Sequence, residues 1–259
     1  MTLDIDHWVG YLLDAADRRV EVAAVSGQTG GLSIEAAYDV QDALVAARVA
    51  SGDRIVGAKL GVTSKAKQQQ MGIDQPAYGW LLGSTQRPAG TGIVLDELIH
   101  PRCEPEIVFR MATDLEGPGV TRRDVLDATA SVSGGIEIID SRYERFKFTL
   151  PDVIADNTSA AQFVVGTDSV VAADVDLRLV ECAFEIDGTI VASASGDALL
   201  GHPADCVALL ANHLAGRGGR IEAGWIVLAG AMTDAFPLVA GARAVARYSE
   251  LGVVAIHAV

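Results

Sequence analysis

The chain has 259 residues, of which 50% are hydrophobic and 21% are charged, and its formal net charge is −14. This composition excludes a wholly disordered chain and supplies enough apolar material for one large domain, alone or with a small appended lobe. So acidic a chain is a poor partner for nucleic acid, and an anionic substrate would need cations placed locally around it.

The N-terminus and the cysteines favour a cytoplasmic protein. The first residues lack the basic and apolar regions of a signal peptide, and no apolar run approaches the ~20 residues that span a bilayer. The three cysteines, Cys103, Cys182 and Cys206, form no CxxC pair. This sparse, odd count is typical of a reducing compartment and does not suggest a disulfide framework.

Two helices are predicted before the first strand. Apolar residues at helical spacing predict a helix over about residues 4–25, followed by a glycine-rich loop at residues 27–31. Ser33 is the expected N-cap of a second helix, which runs to about Ala50. We expect the two helices to form an N-terminal helical lobe of residues 1–53.

The next segment is an apolar strand with one embedded cation, Lys59, in the run Gly-Ala-Lys-Leu-Gly. A lysine in such a strand either extends its ammonium to solvent or faces a site, and the pattern alone favours solvent. Lys65 and Lys67 follow in a polar segment and are expected to be solvated. Residues 75–82 are expected to be a turn that leads either into the core or into a loop that closes over a ligand.

Carboxylates interrupt two further apolar strands. Glu104 and Glu106 are two residues apart, so in an extended strand their side chains share a face, and Glu137 lies in a second strand of the same character. If these strands are buried, the carboxylates need partners. Three hard oxygen donors suit Mg²⁺ or Mn²⁺ better than zinc. The alternative is that two acids face solvent and the third pairs with an arginine.

The remaining chain predicts a mixture of strands and short helices. A capping box at Thr121 predicts a helix to about Ala130, and His202-Pro203 opens another. Residues 140–147 mix cations with aromatics and are either a carboxylate-binding set or a charged surface loop. Strands are predicted at residues 182–186, 189–194, 225–229, 242–248 and 253–259, the first two as a hairpin.

Several motifs, in order, resemble the hydratase/decarboxylase branch of the fumarylacetoacetate-hydrolase superfamily from about Ala36 to the C-terminus. The motifs that carry the resemblance are Gly-Ala-Lys-Leu-Gly-Val-Thr-Ser at 57–64, Pro-Ala-Tyr-Gly at 76–79, Pro-Arg-Cys-Glu-Pro-Glu at 101–106, Glu-Ile-Ile-Asp-Ser-Arg at 137–142 and Ala-Asp-Asn-Thr-Ser at 155–159.

The resemblance implies a mixed α/β (α+β) catalytic domain over residues 54–259, built on a curled, roll-like β-sheet with helices around it. It implies that Glu104, Glu106 and Glu137 hold Mg²⁺ or Mn²⁺ and that Lys59 lies in the active site. The implied enzymes are metal-dependent carbon–carbon lyases of meta-cleavage aromatic catabolism that decarboxylate 2-oxo-3-hexenedioate (4-oxalocrotonate), and the related 2-hydroxypenta-2,4-dienoate hydratases.

Ala77 favours the decarboxylase. Hydratase-like sequences tend to carry an aspartate between the proline and the aromatic-glycine pair, whereas this chain has Ala77. A hydratase must activate water, and an alanine offers no base for that step. The segment of residues 140–148 also resembles the corresponding segment of the decarboxylases. The hydratase remains the alternative, since Ala77 is also compatible with a hydratase that tolerates the change.

The resemblance further implies roles for residues that contact substrate. Ser159 and the backbone near Leu82 are candidates for the C1 end of a 2-oxo-enedioate, and Arg142 and Tyr143 for the distal end. Lys59 would donate a hydrogen bond to the developing oxyanion or transfer a proton.

The resemblance also suggests partners and rival functions. A homo-oligomer and a complex with the pathway hydratase are expected, and a non-catalytic subunit that stabilises such a hydratase is a rival interpretation. A fumarylacetoacetate-type hydrolase would need a water-activating His/Glu pair, and the N-terminal half offers no convincing one.

Overall fold

A computed structural model describes residues 3–61, 63 and 76–259. The predictions for Lys65 and Lys67 lie outside these residues. The helices run over Ile5–Arg18 (α1), Val25–Thr29 (α2), Ile34–Ala50 (α3), Arg122–Ala128 (α4), Leu150–Ala155 (α5) and Pro203–Gly216 (α6). The strands run over Ile55–Gly61 (β1), Ala77–Leu82 (β2), Gln86–Arg87 (β3), Gly92–Ile93 (β4), Arg102–Met111 (β5), Thr129–Ile139 (β6), Ala160–Val170 (β7), Glu181–Ile186 (β8), Thr189–Ser195 (β9), Ile226–Ala231 (β10), Phe236–Pro237 (β11), Arg243–Tyr248 (β12) and Gly252–Ala258 (β13).

The strands form two sheets. The larger has the order β2-β1-β10-β5-β6-β7-β3, with β11 beside β5, and the smaller has the order β4-β13-β12-β8-β9. Both contain parallel and antiparallel pairs. The hydroxyl of Tyr248, on β12, donates to the carbonyls of Glu106 and Gly135 at 2.9 and 2.7 Å, so the smaller sheet is tied to the β5–β6 pair.

The N-terminal helices pack on the larger sheet and share its core. Apolar residues of α1 and α3 belong to the same buried cluster as Leu60 and Tyr78 of β1 and β2. The buried amide of Gln41, on α3, donates to the carbonyls of Tyr78 and Ile154, both at 2.9 Å. The division into a lobe of residues 1–53 and a catalytic domain of residues 54–259 stays a prediction.

Local sequence signals explain where several elements begin. Ser33 caps α3 through a bond from the Ala36 N–H, as predicted, and Thr121 forms the predicted capping box before α4. The hairpin of β8 and β9 and the helix that follows His202 are also present.

Two predictions about local structure were wrong, and a third was left open between two alternatives. The first helix ends at Arg18 because Arg19 adopts a left-handed conformation with φ 57° and its N–H bonds back to the last turn. Gly27 lies within the short helix α2 and not in a loop. Of the two alternatives for residues 75–82, the structure has the core: Ala77–Leu82 is a strand that pairs with β1, and Ala77, Tyr78 and Leu82 belong to the buried cluster.

We predict that His202 makes the stability of α6 depend on pH. Its Nδ1 accepts a hydrogen bond from the Ala204 N–H at 3.1 Å, which requires the unprotonated ring. Burial, assisted by the nearby Arg122, lowers the pKa of His202 below its ordinary value. The cap's contribution of about 1 kcal/mol is therefore complete above the unfolded pKa of about 6.5 and is lost as the pH falls through the lower native pKa.

Urea unfolding at about pH 7.5 and about pH 5.5, on either side of that unfolded pKa, tests this prediction. The His202→Asn variant is the control, because asparagine caps a helix at both pH values. The wild type should lose up to about 1 kcal/mol more stability than the variant. Equal losses in both proteins would contradict the prediction.

Candidate metal centre

The register of β5 and β6 brings three glutamates together. Glu104 lies directly opposite Glu137, and Glu106 is two residues further along β5 on the same face. One carboxylate oxygen from each residue lies within 4.8 Å of the other two. All three side chains are buried. The sequence-based expectation of one shared site therefore has the geometry that it requires.

The carboxylate oxygens are short of hydrogen-bond donors. Glu106 Oε2 accepts from the Gly230 N–H at 2.7 Å, but Glu106 Oε1 and both oxygens of Glu137 accept no hydrogen bond from the described residues. Burial and the neighbouring carboxylates raise the pKa of Glu106 well above its ordinary value. Burial likewise raises the pKa of Glu137, to about 7. Orphaned buried acceptors of this kind are costly unless a cation or donor meets them.

Lys59 supplies one positive charge to the cluster. It is only 2% exposed, so its ammonium does not extend to solvent, which the strand pattern alone favours, and it lies inside the protein, where the family resemblance expects it. Its Nζ lies 3.1 Å from Glu137 Oε2, as an ion pair without well-directed hydrogen-bond geometry, and donates to the Thr158 carbonyl at 3.2 Å. Burial lowers the pKa of Lys59, but the three carboxylates outweigh burial and raise it above its ordinary value.

The charge balance and the donor atoms fit a hard divalent cation. Three carboxylates and one ammonium leave a net buried charge of about −2 when all are ionised, which a divalent cation neutralises. The donors are all oxygen, as Mg²⁺ and Mn²⁺ prefer. The cluster contains none of the cysteine or histidine ligands typical of zinc.

Of the four predicted substrate contacts, Ser159 and Arg142 both lie against the carboxylate of Asp156, and Arg142 and Leu82 line one cavity. Ser159 is buried beside Asp156, with its hydroxyl 3.4 Å from that carboxylate. Tyr143 is fully buried, and its hydroxyl donates to the Asp152 carbonyl. Leu82 and Arg142 line a cavity of about 710 Å³ whose lining includes neither Lys59 nor the glutamates. The roles of these four residues in substrate binding stay predictions.

Arg142 is already held by the protein. Its guanidinium forms a buried ion pair with Asp156 and donates to the carbonyls of Asp140 and Asp156. The charged segment of residues 140–147 is therefore not simply a surface loop, because its first cation is part of the core.

Two contacts at the centre were not anticipated from the sequence. The Gly230 N–H is the backbone donor to Glu106, and the Thr158 carbonyl is the acceptor for Lys59. Thr158 lies in one of the family motifs, but a backbone group carries no side-chain signature. Whether a backbone N–H or carbonyl points at a given side chain depends on the path of the chain, which only the folded structure shows.

Comparison with known proteins identifies the family. No family model matches the chain. The 4-oxalocrotonate decarboxylase of Pseudomonas sp. (strain CF600) is 41% identical over 231 residues, which are 89% of this chain and 88% of that protein. The chain belongs to the family of 4-oxalocrotonate decarboxylases and 2-hydroxypentadienoate hydratases.

Two further members show the breadth of this family. The 2-hydroxyhexa-2,4-dienoate hydratase of Comamonas testosteroni is 40% identical over 214 residues, which are 82% of this chain and 81% of that protein. The 4-oxalocrotonate decarboxylase from Pseudomonas putida G7, solved with magnesium and adipate, superposes with a TM-score of 0.97 at 37% identity. That match covers 100% of this chain and 99% of the other, and it confirms the predicted mixed α+β roll.

We predict that Glu106→Gln weakens divalent-cation binding without unfolding the protein. The glutamine keeps the size of the side chain and an acceptor for the Gly230 N–H but removes one of the three negative charges. The Kd for Mg²⁺, measured by calorimetry, should rise by at least about tenfold. Glu181→Gln, at an exposed position on β8, is the matched control and should bind as the wild type does. An unchanged Kd in Glu106→Gln would remove that residue from the ligand set.

Proposed function

We propose that the protein is a divalent-metal-dependent decarboxylase that converts 2-oxo-3-hexenedioate (4-oxalocrotonate) to 2-hydroxypenta-2,4-dienoate and CO2. The observation that carries the proposal is the buried cluster of three glutamates with Lys59. It occurs in a chain that superposes along its full length on a 4-oxalocrotonate decarboxylase solved with magnesium.

In this proposal Glu104, Glu106 and Glu137 hold Mg²⁺, or Mn²⁺, through their carboxylates. When bound, the cation supplies electrostatic stabilisation for the negative charge that develops on the substrate's 2-oxo group. The three carboxylates would hold the cation together, because two of them share a strand and the third is opposite in register.

Lys59 is the proposed catalytic residue. Its ammonium is held protonated beside Glu137, so it can donate a hydrogen bond to an oxygen that gains charge or deliver a proton to the product. Its counter-charges within the described part of the centre are the three glutamates, and the Thr158 carbonyl accepts its hydrogen bond.

Ala77 favours decarboxylation over hydration. It opens β2 opposite Gly61, and a side chain added at Gly61 would lie 3.8 Å from Lys59 Nζ. The position is therefore close to the proposed catalytic lysine, and the alanine there is buried and apolar. A carboxylate at this point could orient a water, whereas a methyl group cannot.

The main alternative is a 2-hydroxypenta-2,4-dienoate hydratase. Hydratases are among the relatives at similar identity, so the family alone does not separate the two reactions. A non-catalytic partner subunit is the second alternative, and the intact cluster of Lys59 and three glutamates disfavours it.

We also propose a cytoplasmic location, a homo-oligomer and a complex with the pathway hydratase. Each helix in the described part of the chain is too short or too polar to cross a membrane. The three buried free cysteines are compatible with a reducing compartment.

The decisive assay supplies purified protein with 2-oxo-3-hexenedioate and Mg²⁺ and follows CO2 release and the dienol product. We expect turnover that a chelator abolishes and added Mg²⁺ restores, because in this proposal the cation stabilises the charge that develops on the substrate. The same preparation should hydrate 2-hydroxypenta-2,4-dienoate poorly. Rapid hydration without CO2 release would replace the decarboxylase with the hydratase, and inactivity on both substrates would favour the non-catalytic subunit.

We predict that Lys59→Met lowers kcat far more than it weakens Mg²⁺ binding. Methionine fills the buried space but has no proton or hydrogen bond to give, and general acid–base assistance typically contributes about 10²–10⁴-fold. The Kd for Mg²⁺ should not rise, since a repelling ammonium has been removed. Arg123→Met, which removes a cation at an exposed site, is the control. Near-normal turnover in Lys59→Met would remove Lys59 from the mechanism.

A further inference from the structure

The segment Asn157–Ser159 has an unusual backbone. Its three residues have consecutive φ values of 48°, 53° and 56°, which place them in the left-handed region. Even one residue other than glycine is uncommon in this conformation, and a β-branched residue such as Thr158 adopts it least readily. Three in succession form one left-handed turn, which persists only where surrounding contacts impose it.

Side chains of the turn bind it to the edge strand β2. The amide of Asn157 bonds twice to the backbone of Trp80: its Oδ1 accepts from the N–H at 2.7 Å, and its Nδ2 donates to the carbonyl at 2.9 Å. The Thr158 hydroxyl donates to the Tyr78 carbonyl at 2.6 Å. The side chains thus make the bonds that a neighbouring strand would make, which leaves the main-chain carbonyls of the turn free for other partners.

The start of the turn is anchored from the other side. Asp156, the residue before it, forms the buried ion pair with Arg142, whose guanidinium also donates to the Asp156 carbonyl. The Ser159 carbonyl, at the end of the turn, accepts from the Asp140 N–H at 2.8 Å. Both ends are therefore tied to the segment that follows β6, the strand that carries Glu137.

Two glycines leave the space that the turn occupies. A Cβ at Gly79, the residue opposite Lys59 on β2, would lie 2.6 Å from the Asn157 carbonyl oxygen. A Cβ at Gly61, two residues after Lys59, would lie 2.8 Å from Thr158 Cγ2. The glycines of two motifs and the polar residues of a third are thus parts of one packing arrangement beside Lys59.

This arrangement places the Thr158 carbonyl beside Lys59. Thr158 O accepts the hydrogen bond from Lys59 Nζ at 3.2 Å, while Glu137 Oε2 lies 3.1 Å from the same nitrogen. The ammonium is therefore located by two oxygens, one from the metal-ligand set and one from the left-handed turn. The contact to the turn does not depend on the glutamates.

We infer that the left-handed turn Asn157–Ser159 is a positioning element for the reaction, with Asn157 as the positioning residue that aims the Thr158 carbonyl at Lys59. The inference rests on the proposed function, because it assumes that the ammonium of Lys59 takes part in turnover. Asn157 itself acts through Lys59 and contacts no reacting atom.

The main test is Asn157→Ala, which removes both bonds to Trp80. A displacement of about 1 Å at a reacting group costs on the order of 10²-fold in rate, so kcat should fall by about that factor. KM and the Kd for Mg²⁺ should change by less than about threefold, because the glutamates keep their register. Asn157→Asp, which keeps the acceptor for the Trp80 N–H, should lose less activity and serves if the alanine variant does not fold.

Gly79→Ala, on the adjacent strand β2, tests the same turn. The added methyl group would force the Asn157 carbonyl to move, so the fall in kcat should resemble that of Asn157→Ala. Gly10→Ala, on α1, is the matched control, since no heavy atom outside its own helix backbone lies within 4 Å of the added methyl group. That variant should keep wild-type kcat. Wild-type kcat in both Asn157→Ala and Gly79→Ala would overturn the inference.

A double-mutant cycle separates positioning from a general structural role. If Asn157 acts through Lys59, Asn157→Ala should cost nothing further in a Lys59→Met background. The same loss in both backgrounds would overturn the inference, because the effect would then bypass the lysine.

A crystal structure of Asn157→Ala supplies a measurement that does not need turnover. We expect the distance between Lys59 Nζ and Thr158 O to exceed hydrogen-bonding range in the variant. An ammonium that stays on that carbonyl would overturn the positioning role, whatever the activity. Absence of CO2 release by the wild type would instead refute the proposed function, so the two failures can be told apart.

Discussion

The concentration of negative charge inside the larger sheet is the constraint on which the rest of the structure depends. Three carboxylates lie within 4.8 Å of one another in a buried position, with one ammonium beside them. Such a cluster would be destabilising in isolation, because each charge has lost its water and repels the others. The fold maintains it by fixing the strands that carry it, and the chemistry that we propose for it depends on the same charges.

Both sheets help to fix the positions of the three glutamates. Glu104, Glu106 and Glu137 belong to one antiparallel pair, so their separation is set by backbone hydrogen bonds and not by side-chain rotamers alone. Tyr248 reaches across from the smaller sheet and bonds to a carbonyl on each of these two strands. Gly134 admits its ring, because a Cβ there would lie 2.3 Å from Tyr248 Cε2. The smaller sheet, which carries none of the proposed ligands, thus helps to set their spacing.

Some of this arrangement could be predicted from the sequence and some could not. The two-residue spacing of Glu104 and Glu106 fixes their shared face in any strand, so local pattern was sufficient there. The approach of Glu137 depends on the register between β5 and β6, which spacing along the chain does not encode; the family resemblance supplied that expectation. The strand pattern alone pointed the wrong way for Lys59, because a lone lysine in an apolar strand is usually solvated, and the nearby carboxylates reverse that preference. The left-handed turn at Asn157–Ser159 has no sequence signature, since asparagine alone among its residues tolerates that conformation.

The face of the sheet that carries the glutamates continues into a small apolar cluster of Leu81, Val108, Phe163, Ile226 and Leu228. Val108 is two residues beyond Glu106 on β5, Phe163 lies opposite Glu137, and Leu228 lies opposite Lys59. These side chains form a wall of low permittivity beside the charges on the same face, so the field of the carboxylates is weakly screened in that direction. An approaching ion or substrate therefore meets a potential that is stronger and longer in range than the same charges would create at a wetted surface. The apolar cluster therefore strengthens the attraction between a distant cation and the carboxylates, although its own residues carry no charge.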